Sequence, residues 1–153
     1  MNTKILKTLS SFFLFIFLSN ELLADQGISS DQVLIGMHTD ISGPASMIGK
    51  QSVDGANMRF KEFNENGGAF GRTIKFIVED HQYTVPRAVQ AANKLLRKDK
   101  VAFMMGALGT PMNNAVMTDQ LAMNVPNLFP LTAARSMFDP FDRLKFTLSL
   151  IHI

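Results

Sequence analysis

The sequence predicts an α/β fold, a Rossmann-like doubly wound parallel sheet, and three observations lead to that expectation. Short apolar runs alternate with longer stretches whose apolar residues recur every three or four positions, in the order β-α-β-α-β-α-β. Each helical stretch is long enough to be the crossover that parallel strands require. Polar turns containing glycine or proline separate the elements, and no repeat, linker or low-complexity tract interrupts them.

The elements follow in order. Val33-Leu34-Ile35-Gly36-Met37 is a continuous apolar run, as in a strand covered on both faces. A polar turn over residues 38–49 leads to a helix over 51–66, marked by Val53, Ala56, Phe60 and Phe63. Asn66-Gly67-Gly68 stops that helix. Residues 73–79 predict a second strand. Thr84 and Pro86 then predict a helix start, with Val85, Ala88, Val89, Ala92, Leu95 and Leu96 as the buried stripe. A third strand is expected over 101–105, ended by Gly106. Thr110-Pro111 repeats the cap-and-proline signal ahead of a helix over 112–123, and Leu128-Phe129 with Leu131 predicts a fourth strand.

Ahead of this domain, residues 1–24 have the three-part order of a secretory signal: Lys4 and Lys7, an apolar stretch over 9–18, and Ala24 before Asp25. Leu22 stands where a small residue is preferred. The stretch is too short for a membrane-spanning helix, which needs about 20 apolar residues. The domain is assigned to residues 25–147, and 148–153 are set apart as a tail. Outside the leader, 13 basic residues face 12 acidic ones, a balance that points away from nucleic acid and anionic membranes. The basic group Lys94, Arg97, Lys98 and Lys100 falls at a helix end, where the helix dipole favours cations. The absence of cysteine excludes disulfides, thiol catalysis, cysteine metal sites and a lipid-modified N-terminal cysteine.

In open parallel sheets, ligands bind beyond the carboxyl ends of the strands. Three loops qualify: residues 39–49, 106–110 and 130–135. The loop Gly106-Ala107-Leu108-Gly109-Thr110-Pro111 is the most informative. Its glycines admit close backbone approach, and Thr110 stands where a hydroxyl and unpaired N–H groups leave a helix start, a place suited to a carboxylate. The same residues also make an ordinary helix start. The loop has neither the Gly-Lys-Ser/Thr ending of a phosphate loop nor the dinucleotide glycine pattern. His81, in Glu79-Asp80-His81, and His38 have no partners at metal-ligand spacing, so solvated-loop or hydrogen-bonding roles are expected. The ten methionines read as core filling. With no nucleophile elbow or His-Glu-x-x-His motif, no catalytic residue, metal or cofactor is expected.

Val33-Leu34-Ile35-Gly36, Ser42-Gly43-Pro44, Asn64-Glu65-Asn66-Gly67-Gly68, Gly71-Arg72, Val78-Glu79-Asp80, Pro86-Arg87-Ala88-Val89, Ala92-Asn93-Lys94-Leu95 and the Gly106 loop, in this order and spacing, resemble the type I periplasmic binding proteins. The chain is most similar to the leucine/isoleucine/valine-binding branch of ABC-transporter solute receptors, which also includes amide and urea binders. The resemblance spans residues 32–147. It implies the first lobe of a two-lobed protein that closes on a small solute and is recognised by the membrane components of an importer. It also implies that the second lobe, missing here, supplies the opposing contacts, so that the chain is a truncated receptor. By the same resemblance Thr110 and Gly109 hold a ligand carboxylate, and the Leu131 carbonyl meets its ammonium. Ala133 falls where branched-chain receptors offer a hydroxyl, with Thr132 adjacent. Ser42 and Ile48 belong to the first loop of the site, Ile48 where an aromatic wall is common. A sensory domain on the same fold is the alternative, and a nucleotide-dependent α/β enzyme is disfavoured by the missing glycine patterns.

Overall fold

A computed structural model describes residues 26–147, so the expected signal (1–24) and tail (148–153) lie outside the described residues. Five strands form one parallel sheet: β1 (Gln32–Thr39), β2 (Thr73–Asp80), β3 (Phe103–Met105), β4 (Asn127–Leu128) and β5 (Lys145–Phe146), in the spatial order β2-β1-β3-β4-β5. Three helices cross between them: α1 (Ser46–Glu65), α2 (Val85–Asn93) and α3 (Thr110–Ala122). The expected doubly wound topology is therefore the one observed. Strand order reverses between β1 and β3, and in such sheets the crevice beyond that switch point is where ligands bind.

The core lies between the sheet and the packed pair α2 and α3. Ala92, Leu95 and Leu96 meet Val101, Met104, Val116 and Val125 there, all buried, with Leu34 and Ile77 facing them from the sheet. Beyond Asn93 the helix continues as one π-helical turn, Lys94–Lys98. Its wider winding shifts the helix phase and lets the consecutive Leu95 and Leu96 both enter the core. The expected stripe is otherwise corrected at two places: Ala91 is buried, while Val85, in the first turn, is exposed. Lys94, at this end of the helix, pairs with Glu79 of β2 and, at 3.4 Å, with Asp99. On the other face of the sheet, α1 packs on β2, with Phe60 edge-on to Phe76 at 5.2 Å. The Asn64 side chain ties the end of α1 to Ile74 of β2, accepting its N–H at 2.7 Å and donating to its carbonyl at 2.9 Å. Gly67 and Gly68, both at positive φ, end the helix as expected.

Element boundaries differ from expectation for local reasons. Helix α1 starts at Ser46, because the Asp40 carboxylate accepts the N–H groups of Ser42, Gly43 and Ala45 and winds the chain into its first turn. Strand β3 starts at Phe103: Lys100 has φ 52°, and the Val101 N–H is bonded to Leu95 of the helix end. Strand β4 stops at Leu128, where Phe129 has φ 50°, yet Leu131 rejoins the sheet as a parallel bridge to Leu108. The two-residue β5 was not expected; so short a strand has no readable periodicity. The methionines divide: Met37, Met104, Met112 and Met137 fill the interior, whereas Met47 and Met58 are exposed.

Candidate functional site

The loops that leave β1, β3 and β4 meet at the switch point and are tied together by backbone hydrogen bonds. The Leu108 N–H donates to the His38 carbonyl at 3.3 Å, the Leu131 N–H to Ala107 at 2.9 Å, and the Gly109 N–H to the Leu131 carbonyl at 3.1 Å. From below, the buried Asn113 side chain donates to the carbonyls of Ala107 and Gly109, each at 2.9 Å. Gly109 adopts φ 97°, a conformation open to glycine, and a Cβ there would lie 2.2 Å from Met112 Cε.

Gly109 is the residue that precedes α3, so the expected cap at Thr110 is corrected by one position: Thr110 belongs to the first turn, followed by Pro111. Among the described residues no side chain caps this helix, and its first-turn N–H groups lack intrahelical partners. The freed Thr110 hydroxyl meets the Thr132 hydroxyl at 2.5 Å, and Thr132 Oγ1 also accepts the Ala134 N–H at 3.1 Å. Whichever threonine donates, one hydroxyl hydrogen of the pair remains for an incoming oxygen. Thr132 is buried, whereas Thr110, Leu131 and Ala133 are exposed around it. The Leu131 carbonyl, occupied by Gly109, keeps a second lone pair.

Thr110, Gly109, Leu131, Thr132 and Ala133 are thus brought together. Ser42 and Ile48 sit on the β1 side. Ile48 is exposed in the first turn of α1. The Ser42 hydroxyl is committed to Asp80 Oδ2, while Asp80 Oδ1 accepts the N–H groups of Ile41 and Gln82, both at 3.0 Å. Burial works against a charge on Asp80, but these hydrogen bonds, that of Ser42 foremost, outweigh it and hold the carboxyl below its ordinary value.

The histidines correct the expectation of solvated loops. His38 and His81 are both fully buried, their rings 5.6 Å apart. His81 does hydrogen-bond: Nδ1 accepts the Tyr83 N–H at 3.0 Å, so Nε2 carries the hydrogen and donates to the Leu108 carbonyl at 3.1 Å. Burial lowers its pKa, partly countered by the Leu108 bond and the nearby Asp40 and Asp80. Neither ring nitrogen of His38 has a partner among the described residues. Burial, with the adjacent His81, lowers the His38 pKa to about 3. No group of metal-ligating side chains assembles among the described residues. Asp40, Tyr83 and Asn113 are the structural residues that sequence reasoning did not single out. Only Asp40, at a strand end before Ser-Gly-Pro, has a readable turn signature.

The parallel sheet in switch-point order carries a helix N-terminus and paired hydroxyls at its carboxyl edge, the edge at which sheets of this kind bind ligands. The chain belongs to the periplasmic binding protein family, whose model matches residues 32–139. It is 31% identical over 85 residues to the Leu/Ile/Val-binding protein homolog 1 of Brucella abortus, covering 56% of this chain and 23% of that one. It is 28% identical over 87 residues to the leucine-specific-binding protein of Salmonella typhimurium, covering 57% and 23%. The chain therefore spans 23% of the length of these curated relatives. Among solved structures, a substrate-binding periplasmic protein from Ralstonia solanacearum superposes with a TM-score of 0.73 at 25% identity, over 79% of this chain and 35% of that one. The isoleucine-bound branched-chain amino acid transporter substrate binding protein of Streptococcus pneumoniae shares the fold, with a TM-score of 0.65 at 22% identity, over 69% and 30%.

Proposed function

We propose that this chain supplies one jaw of the solute site in a periplasmic receptor of an ABC importer, exported by the signal at residues 1–24. The solute is a small polar or amino-acid-like molecule of the branched-chain amino acid, amide or urea type. The observation that carries this reading is the Thr110–Thr132 hydroxyl pair at the uncapped start of α3. A carboxylate or carbonyl oxygen docked there receives the spare hydroxyl hydrogen and first-turn N–H groups at the positive end of the helix. The Leu131 carbonyl is within the same loop as Thr132 for an ammonium or amide N–H, and the Gly109 N–H holds that carbonyl in place. Thr132 takes the hydroxyl role that Ala133 cannot. Ser42 and Ile48 line the β1 side. A second lobe closes over the solute, and the closed form is what the membrane components recognise. The role is binding, without catalysis or cofactor.

The names of the relatives, leucine- and branched-chain-binding proteins, support this solute class. The test is calorimetry with L-leucine, acetamide and urea. Alone, the chain should bind one of them at millimolar strength or weaker, because half the contacts are absent. Grafted into the leucine-specific relative in place of the matching segment, it should bind at micromolar strength. Thr110→Val with Thr132→Val should weaken that by about tenfold or more. Micromolar affinity in the chain alone would overturn the two-jaw mechanism, and a graft that binds none of the three would overturn the solute class.

A further inference from the structure

Tyr83 is the only tyrosine of the chain, which has no tryptophan. It occupies the loop after β2 with φ 56°, directly after Gln82 at φ 50°. Two successive non-glycine residues in the left-handed region persist only where their surroundings impose it. Here the Gln82 N–H is held by Asp80 Oδ1 and the Tyr83 N–H by His81 Nδ1, each at 3.0 Å. The result lays the Tyr83 ring against Gly109: a Cβ on that glycine would stand 3.2 Å from Tyr83 Cε2. Gly109 is the residue before Thr110, so the ring packs against the backbone one residue ahead of that threonine's hydroxyl. It is 40% exposed, and Leu131, whose carbonyl accepts the Gly109 N–H, is 37% exposed.

We infer that Tyr83 is a solute-contacting wall of this site and that His81 is its positioning residue. The inference rests on the solute-site reading above and narrows it: a half-exposed aromatic ring and a leucine beside paired hydroxyls fit a solute with an apolar portion next to its oxygen. An aliphatic amino acid or amide fits better than urea or glycine. His81 acts through its neutral form, because a single imidazole joins the Tyr83 loop to the Leu108 carbonyl. On protonation, Nδ1 becomes a donor and can no longer accept the Tyr83 N–H. The titratable and charged groups facing His81 are His38 of β1, Asp40 of the loop after β1, its neighbour Asp80, and Tyr83.

Because Tyr83 is the sole intrinsic fluorophore of its kind, the unaltered chain reports on it directly. Titration with L-leucine should change tyrosine emission saturably, with the same midpoint as line broadening of leucine in proton NMR. Tyr83→Phe should retain leucine binding, whereas Tyr83→Ala should weaken it about tenfold with glycine affinity unchanged. Acidification should shift the emission with a midpoint below 6.5. His81→Asn, which keeps an acceptor, should hold the neutral-pH emission without that step, and His81→Ala should displace it at every pH. Leucine binding seen by NMR without an emission change, or undiminished in Tyr83→Ala while Thr110→Val weakens it, overturns the inference and leaves the solute site standing. No binding of leucine, glycine, acetamide or urea by NMR overturns both.

Discussion

The buried His38 ring makes the fold acid-sensitive by an amount that can be worked out. In the unfolded chain the imidazole titrates near 6.5, and in the folded chain near 3. Folding therefore favours the neutral form: stability is full above 6.5 and is lost as pH falls from 6.5 towards 3, the interval in which only the unfolded state takes the proton. Between pH 7.5 and pH 5 the linkage integral gives a loss of about 2 kcal/mol from this one residue. Replacing His38 by Leu keeps the side-chain volume and removes the titration. The ring nitrogens have no partner among the described residues, so the variant should be at least as stable as the parent at pH 7.5. Urea unfolding of both proteins at pH 7.5 and pH 5 isolates the effect, since carboxylates and the other histidines contribute to both. The parent should lose about 2 kcal/mol more than the variant, with equal m-values. Parallel losses would refute the reasoning and show that the ring finds a partner for its proton.

Other substitutions probe the site scaffold and the core. Gly109→Ala should destabilise by about 1–3 kcal/mol in urea melts, because φ 97° is strained for alanine and the new Cβ meets Met112. Asn113→Ala should cost about 1–3 kcal/mol and speed amide exchange at Thr110, since the carbonyls of Ala107 and Gly109 lose their shared donor. Leu95→Ala, fully buried in the core, should cost about 2–5 kcal/mol by the same measurement. Lys94→Met should cost under about 1 kcal/mol and remove little salt dependence, because the pair with Glu79 lies at a partly exposed rim.

The fold was legible because its signals are long. Val33 through Met37, the α2 stripe and the Pro86 and Pro111 helix starts each repeat one physical rule over several residues. Boundaries were less legible wherever one side chain overrode local propensity: Asp40 winds α1 five residues early, and Lys100 at positive φ delays β3. Thr110, Leu131 and Thr132 were proposed from loop position and resemblance, and the bridge from Leu108 to Leu131 is what brings them together. The burial of His38 and His81 was not legible, because nothing in one-dimensional spacing shows that adjacent strands end in adjacent imidazoles. Tyr83 escaped notice for a related reason: its place depends on His81 and Gly109, residues 2 and 26 positions away.

The Asn64 amide has a consequence for behaviour at high concentration. Strand β2 is one of the two outer strands of the sheet among the described residues, and an outer strand offers its outward N–H and carbonyl groups to any other chain. At Ile74 both are already taken by one side chain, which imitates a single residue of a further strand. A second molecule attempting to extend the sheet from this side must first displace that amide. Asn64 thus serves as a local guard against edge-to-edge stacking, and Asn64→Ala should leave the interior intact while hastening thioflavin-positive aggregation.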